Sequence, residues 1–329
     1  MKRRDFMILL SAGAMVPHGV CAQDAVGPTV GFVSSSHASA SSAAHLLVPF
    51  RQGLFEGGYV EGRNLSIEYR WAGGQNHRLS ELLADLVQRR VDLIVASGGF
   101  ASAVAARAAT GSIPILFVSG FDPVKLGYVK SLSRPGGNAT GVSIYSIELA
   151  EKRLELLHKL VPKATTIGLL VNPTAPEGPK IEIEFTAEAA NARGLTLQVL
   201  EAATASDFEP AFASAVQHGV GALLVNANPF FLPQRAQIIA LAARHRLPTL
   251  YPWREYVEAG GLVSYGTTLS WAYLELGRYA YRILRGAKPD DLPVQLPTKF
   301  VQLINITTAR ALGLDVPRIM LAGSDEVIE

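Results

Sequence analysis

The chain has 329 residues, of which 49% are hydrophobic and 18% are charged, as in ordinary globular α/β proteins of about two domains. The formal net charge of +2 belongs to the N-terminus, where Lys2, Arg3 and Arg4 stand against Asp5. The remaining chain is balanced in charge, which argues against nucleic acid or an anionic membrane surface as a partner.

The N-terminus predicts an export signal over residues 1–22. The basic segment MKRRDF precedes the apolar stretch Met7–Val16, which is too short to span a bilayer, and VCA suits cleavage after Ala22. The arginine pair in RRDF resembles a twin-arginine signal, but its flanking residues depart from that pattern, so the Sec route stays open. The mature protein is therefore expected in the periplasm.

Cysteine usage narrows the chemistry further. Cys21, the one cysteine of the sequence, lies inside the predicted signal. A mature chain without thiols has no disulfide framework, no thiolate metal site and no cysteine nucleophile. The sequence also shows no metal-ligand spacing, Walker loop or dinucleotide motif, so we expect no cofactor.

Four apolar segments of the first half resemble four of the second half, in the same order. The pairs are TVGFVSSS with TIGLLVNP, VDLIVASGG with VGALLVNANP, IPILFVSG with LPTLYPWRE, and ATGVSIY with GGLVSYG. Helical spacing of apolar residues separates them, as in residues 77–90, 148–161 and 236–245. Apolar strands alternating with helices predict parallel sheets that are covered on both faces.

The predicted fold is α/β, with two Rossmann-like lobes joined by a hinge. We assign residues 27–143 and about 267–290 to the N-terminal lobe, because the long amphipathic helix after Thr267 is expected to return there. Residues 144–263 form the C-terminal lobe. Residues 291–329 hold a strand near Phe300–Ile304 and a short helix, and their lobe is left unassigned. The crossings near Ser143–Ser146 and Ser264–Thr267 are hinge candidates.

Ligands of open α/β sheets bind at the carboxyl ends of the strands, and two facing sheets would form one cleft. Short neutral groups gather at those ends and can orient a ligand without attacking it: Ser34, Ser35, Ser36, Ser97, Gly98, Gly99, Ser146, Asn172, Asn226 and Asn228. Aromatic side chains near the same ends can flank an apolar moiety: Phe121, Tyr145, Phe230, Phe231, Tyr251 and Tyr265. Together they indicate an amino acid or a similar zwitterion.

Asp122 has two interpretations. It follows the apolar strand of PILFVSGFDPVKLGYV and, with Pro123, predicts the start of a helix in which it serves as N-cap. The same position at a strand end would let it pair with a ligand's ammonium group. Both interpretations stay open from the sequence.

Catalytic patterns are weak throughout. The histidines form no HExxH pair, and His37 is the one that follows a strand end. There is no nucleophile elbow. We predict that the protein is not an enzyme. The alternative, a cleft enzyme acting on a small polar substrate, would need a titratable pair near His37 or Asp122.

Nearly the whole chain resembles the ABC-transporter substrate-binding family that includes tryptophan- and tyrosine-type binding proteins. Five segments carry the resemblance, and the second, with Asp-Pro-Val and Arg-Pro-Gly-Gly-Asn, is the most specific: Phe50–Gln75, Phe121–Ser143, Glu148–Thr165, Glu255–Gly266 and Ile304–Pro317. The resemblance implies a periplasmic binding protein of type I-like architecture. We expect a monomer, because nothing in the sequence demands an oligomer. It would close over a small, amino-acid-like solute and deliver it to an ABC permease in the inner membrane.

The resemblance also implies site residues by position. These are the Ser34–Ser36 loop, the Ser97-Gly98 turn, Asp122, the Tyr145 crossing and the Asn226–Asn228 strand end, with specificity tuned by Phe230, Phe231 and Trp253. A ligand sensor that does not take part in transport is an alternative for the same cleft.

Overall fold

The computed structural model describes residues 27–39, 43–174 and 178–329. The predicted export signal, residues 1–22, and Cys21 lie outside the described residues and stay predictions. Among the helices that the structure describes, none is long and apolar enough to cross a membrane.

The N-terminal lobe is built on a sheet of five parallel strands in the order β2-β1-β3-β4-β5. Its strands β3 and β4 are buried at every position, which explains their continuous apolar sequences. The five strands are β1 (Thr29–Ser34), β2 (Ser66–Trp71), β3 (Leu93–Ser97), β4 (Ile115–Ser119) and β5 (Ala139–Ser143).

The C-terminal lobe has a seven-stranded sheet in the order β12-β11-β10-β9-β8-β6-β7. All neighbouring pairs are parallel except β10 and β11, which run antiparallel. The strands are β6 (Thr166–Val171), β7 (Thr196–Glu201), β8 (Ala222–Val225), β9 (Thr249–Tyr251), β10 (Val263–Gly266), β11 (Val301–Asn305) and β12 (Glu326–Ile328).

Helices connect the strands and cover the sheets, so the predicted fold of two parallel-dominated α/β lobes is confirmed. In α2, Leu79, Leu83 and Leu86 are buried at helical spacing. The helices are α1 (Val48–Glu56), α2 (Leu79–Gln88), α3 (Phe100–Ala109), α4 (Ala150–Leu160), α5 (Gly178–Asn191), α6 (Phe208–Gln217), α7 (Arg235–Arg244), α8 (Arg254–Glu258), α9 (Leu269–Leu284), α10 (Ile306–Ala311) and α11 (Arg318–Ala322).

Helix α9 leaves the C-terminal sheet after β10 and packs on α1 and on strands β3, β4 and β5 of the N-terminal lobe. The two helices touch through glycines. A Cβ added at Gly277 would lie 2.1 Å from the Phe50 carbonyl oxygen and 2.8 Å from the Gly53 Cα. The close approach of α1 and α9 therefore depends on the absence of side chains at Gly53 and Gly277.

The chain after α9 follows the N-terminal lobe before it leaves that lobe. Gln295 pairs with the end of β5, since its N–H donates to Gly141 O at 2.8 Å and its carbonyl accepts from Ser143 N at 2.9 Å. The chain then enters β11, which pairs with β10. Residues between Gln295 and Val301 thus form a third crossing between the lobes, and β11 and β12 belong to the C-terminal sheet.

Candidate functional site

A cavity of about 980 Å³ lies between the two lobes at the carboxyl ends of their strands. Both lobes line it, and so do crossing residues Ile144, Ser146 and Leu269. At its edge, Asn76 Nδ2 of the N-terminal lobe lies 3.5 Å from Thr174 O of the C-terminal lobe. A molecule held here would touch both lobes and two of the crossings.

The N-terminal wall is formed by Ser35, Ser36 and the turn Gly98-Gly99 before α3. Ser35 Oγ donates to Gly98 O. Gly98 has a φ of +79°, a left-handed conformation that favours glycine. A Cβ at this position would also lie 2.6 Å from Ser35 Oγ. The turn therefore needs glycine for both its backbone conformation and its contact with the serine loop.

Gly98→Ala is expected to lower the free energy of unfolding by about 1–2 kcal/mol, because alanine is strained in a left-handed conformation. It should also weaken solute binding, since Ser35 would have to move. Urea denaturation and a binding titration measure the two effects. Gly137→Ala is the control, because nothing lies within 4 Å of a Cβ there. Equal stability of both variants would contradict this account.

The C-terminal wall carries three asparagines at strand ends, Asn172, Asn226 and Asn228. Two of them order their own loops. Asn172 Oδ1 accepts from Thr174 N at 3.0 Å, and Asn228 Oδ1 accepts from Phe230 N at 2.9 Å. The Asn226 side chain instead donates through Nδ2 to Glu182 Oε2. Asn226 thus connects the strand end to a carboxylate of helix α5.

Glu182 lines the cavity and was not among the residues predicted from the sequence. Its residue surface is only 3% exposed. Burial raises the pKa of its carboxyl to about 7, while the charge of Arg153 and the hydrogen bond from Asn226 act in the opposite direction. The sequence signal was the position of Glu182 in a helical stripe with Thr186, Ala189 and Ala190, all of them buried.

The raised pKa of Glu182 predicts a pH dependence of stability. The folded protein retains the proton of Glu182 up to a pH of about 7, whereas the unfolded chain loses it near the ordinary glutamate pKa of 4.5. The unfolded state then binds fewer protons in this interval, so stability should fall as pH rises through it. Urea denaturation from pH 4.5 to pH 7 should show a flatter profile for Glu182→Gln. The exposed neighbour changed in Glu184→Gln should keep the wild-type profile.

Arg153 lies behind this wall in helix α4 and is 3% exposed. Its Nη1 donates to Ser146 O at 2.8 Å and its Nε donates to Tyr265 O at 2.9 Å. Burial lowers the pKa of its guanidinium to about 10, while the charge of Glu182 raises it. One buried cation is therefore hydrogen bonded to both predicted hinge segments and is electrostatically coupled to the cavity wall.

The structure brings a large part of the predicted set to the cavity wall. The predicted residues on the wall are Ser35, Ser36, Gly98, Gly99, Phe121, Ser146, Asn172, Asn226, Asn228, Phe230 and Trp253. Ser34 and Ser97 lie just behind it. Ser34 Oγ is 3.0 Å from Ser36 Oγ, and Ser97 Oγ is 2.5 Å from the hydroxyl of Tyr273. These two serines position residues of the wall.

Tyr273 of helix α9 lines the cavity and was also missed. Burial raises the pKa of its hydroxyl to about 12, so the ring presents a neutral hydrogen-bonding group. Nothing in the local sequence of α9 indicated that Tyr273 would lie beside Ser97, a residue of the first half of the chain. The helix was expected on the N-terminal lobe, but only its packing there shows that Tyr273 lies beside Ser97.

The prediction of a helix beginning at Asp122 is wrong, because residues 123–130 form turns and bends. Gly127 adopts a φ of +64°, which ends the helical geometry within about a turn. Asp122 still caps this turn, since its Oδ1 accepts from Val124 N at 2.8 Å and Lys125 N at 3.3 Å. The structure does not bring Asp122 to the cavity wall, and its contacts favour the capping interpretation.

Four predicted aromatic residues also lie away from the wall. Tyr251 stacks on Tyr256 with ring centroids 4.7 Å apart and is buried below the sheet end. Tyr265 packs against Phe300. Phe231 is buried against Phe208. Tyr145 adopts a φ of +47° at the first crossing. Some aromatic rings at strand ends therefore lie in the apolar core and others at the cavity, because their side chains point in different directions.

Comparison with known proteins identifies the architecture. Residues 36–328 match the family described as ABC transporter substrate binding protein. The chain belongs to this family. Its members are solute-binding proteins, and the cavity between the lobes is the place in this family member where a solute can contact both sheets. Two periplasmic binding proteins that are 15% and 11% identical to this chain have the same fold, and the likeness to them extends no further than the fold.

Three more similar proteins extend the comparison. The chain is 30% identical over 266 residues to a tyrosine-binding protein of Clostridioides difficile, with 80% of this chain and 75% of that protein covered. A conserved domain protein of Vibrio cholerae has a TM-score of 0.82 at 26% identity, with 91% and 99% covered. A Streptococcus pneumoniae ABC domain in complex with L-Trp has a TM-score of 0.78 at 25% identity, with 91% and 100% covered.

Proposed function

We propose that this ABC-transporter substrate-binding protein is the periplasmic receptor of an importer whose solute is an aromatic amino acid. The observation that supports it best is the composition of the interlobe cavity. Short polar groups at strand ends lie beside aromatic side chains, as an amino-acid backbone and an aromatic side chain would require. The relatives that bind tyrosine or carry L-Trp agree with this choice.

The aromatic side chains of the cavity come from both lobes. Phe100 and Phe121 of the N-terminal lobe have ring centroids 5.7 Å apart. Phe230 and Trp253 lie on the C-terminal wall, and Phe230 stacks on Phe208 at 5.9 Å. Rings held by such neighbours keep their orientation, so a flat ligand ring could pack between them without much loss of conformational entropy.

Binding would favour the closed arrangement because the solute touches both lobes and the crossings. The closed form would then be the one recognised by an ABC permease. We propose a role without catalysis. Ser35 Oγ is engaged with Gly98 O, and among the described residues of the wall no histidine stands beside a serine hydroxyl as a general base.

A thermal-shift panel tests the solute class. Aromatic amino acids should raise the unfolding midpoint by several degrees at 100 times their dissociation constant, because a ligand of the folded state stabilises it by mass action. Leucine, glutamate and lysine are the comparison solutes. A panel in which only non-aromatic solutes stabilise the protein would contradict the aromatic assignment. Chemically unaltered solute recovered after incubation would support binding over catalysis.

A further inference from the structure

The polar wall of the cavity contains one buried carboxyl group, that of Glu182. Among the described residues, only Arg107 and Glu182 on this wall carry a side chain of formal charge. Arg107 is exposed, and its Nη1 donates to Tyr128 O at 2.5 Å while the guanidinium lies over the Tyr128 ring. Glu182 is therefore the ionisable group that a solute inside the cavity would meet.

Glu182 has unused capacity for a cation. Its Oε2 accepts from Asn226 Nδ2, and the structure describes no hydrogen-bond partner for its Oε1. Within the described ranges, no lysine, arginine or histidine makes an ion pair with it, because the guanidinium of Arg153 is engaged with Ser146 O and Tyr265 O. A buried carboxyl group without an ion pair is costly to ionise. Burial therefore raises the pKa of Glu182 to about 7, against the charge of Arg153 and the hydrogen bond from Asn226, and the charge of Glu148 adds to the rise.

The helix and the strand end beside the carboxyl favour a ligand group that can donate several hydrogen bonds. Glu182 lies in the first half of α5, and Asn226 lies at the end of β8. A primary ammonium has three donors, and a carboxylate oxygen with free acceptor capacity is its usual partner. The amide oxygen of Asn226 remains available as a further acceptor, because its Nδ2 is used by Glu182.

We propose that Glu182 binds the primary ammonium group of the solute, so that the cavity selects amino acids over aromatic acids that lack the amine. This inference rests on the proposed function, since it names the group that would hold the solute's amino end. The bound ammonium favours the ionised carboxylate. A Glu182 carboxyl that is protonated before binding would therefore lose its proton to the buffer when the solute binds.

Calorimetric titrations with L-tyrosine and with 3-(4-hydroxyphenyl)propionate, which lacks the amino group, test the inference. The wild-type protein should bind L-tyrosine at least tenfold more tightly than the propionate. Glu182→Gln keeps the size of the side chain and an acceptor for Asn226 but removes the charge. It should weaken L-tyrosine binding by about 10- to 100-fold, as for other lost hydrogen bonds to charged groups, and leave the propionate little changed.

Glu184→Gln is the matched control, because Glu184 is an exposed residue of the same helix. It should bind both compounds as the wild type does. A second measurement is made on the wild type and so does not depend on the folding of the variant. Near a pH of 6.5, L-tyrosine binding to the wild type should release a proton, seen as a heat that changes with the ionisation enthalpy of the buffer. Glu182→Gln should remove that release.

Equal wild-type affinity for the two compounds, or unchanged preference in Glu182→Gln, would overturn the ammonium site and leave the aromatic solute intact. Binding of the propionate without L-tyrosine would overturn the ammonium site and the amino-acid assignment, and would leave an aromatic acid as the solute. Failure of every aromatic amino acid and aromatic acid to bind would overturn both the inference and the proposed solute class.

Discussion

Gly277→Val is expected to lower the free energy of unfolding by about 3 kcal/mol or more, because side-chain atoms would be forced between two helices in backbone contact. A Cβ at Gly277 would lie 2.1 Å from Phe50 O and 2.8 Å from the Cα of Gly53. Both neighbours are backbone atoms of α1, so the clash cannot be relieved by a rotamer change. Helices α1 and α9 would have to separate.

The separation matters beyond stability. Helix α9 contributes Tyr273 to the cavity wall, and Tyr273 is hydrogen bonded to Ser97 behind the glycine turn. Solute binding should therefore weaken in any Gly277→Val protein that still folds. Urea denaturation measures the stability change. Gly277→Ala should show a smaller loss, since alanine adds one methyl group and gains about 1 kcal/mol of helix propensity.

Gly111→Ala serves as the control, because a Cβ there would meet nothing within 4 Å. It should unfold at the wild-type urea concentration. If Gly277→Val matched this control, the close crossing of α1 and α9 would not be a requirement of the fold.

Arg153→Met is expected to lower the free energy of unfolding by about 2–4 kcal/mol, because it leaves two buried carbonyl groups without their donor. These are Ser146 O and Tyr265 O, one on each of the predicted hinge segments. The substitution also removes the positive charge that holds down the pKa of Glu182. That pKa should rise further, and the fall of stability with pH should extend to higher pH.

Arg153→Lys separates the two effects. It retains the positive charge but cannot donate to both carbonyls in the fixed geometry of a guanidinium. Its pH profile should stay close to the wild type while stability falls. Lys152→Met, on the exposed side of the same helix, should change unfolding by less than about 1 kcal/mol. A stable Arg153→Met protein with unaltered pH dependence would refute this role of Arg153.

Arg153 also connects the cavity to lobe movement. Its guanidinium donates a hydrogen bond to each of two crossings, and its charge interacts with the carboxyl group of Glu182. A solute that changes the ionisation of Glu182 would therefore change the electrostatic environment of the Arg153 guanidinium, which is hydrogen bonded to both crossings. Small-angle scattering with and without solute would measure how far the lobes close in the wild type and in Arg153→Lys.

The edge strands β2 and β7 were not predicted from the sequence. Strands β2 and β7, SIEYRW and TLQVLE, contain polar residues on faces that the structure leaves partly exposed. They lack the continuous apolar sequence of β3 and β4, which are buried on both sides. Long apolar runs therefore identified β3 and β4, whereas β2 and β7 were not predicted.

Some residues of the cavity wall could be predicted from the sequence and others could not. The serines, glycines and asparagines at strand ends were predictable because parallel strands bring their carboxyl ends to one edge of a sheet. Glu182 and Tyr273 were not, because each lies within a helix, and only the packing of that helix turns its side chain toward the cavity. Tyr251 shows the reverse, since it stands at a strand end but points into the core.

By itself, the sequence determined the two α/β lobes, their repeated order of strands and the polar strand ends, since all of these depend on local hydrophobic periodicity. Only the tertiary structure decided the lobe of the last strands, the third crossing, the failure of a helix at Asp122 and the buried carboxyl of Glu182. These features depend on contacts between residues far apart in the chain, and no local pattern of residues encodes such contacts.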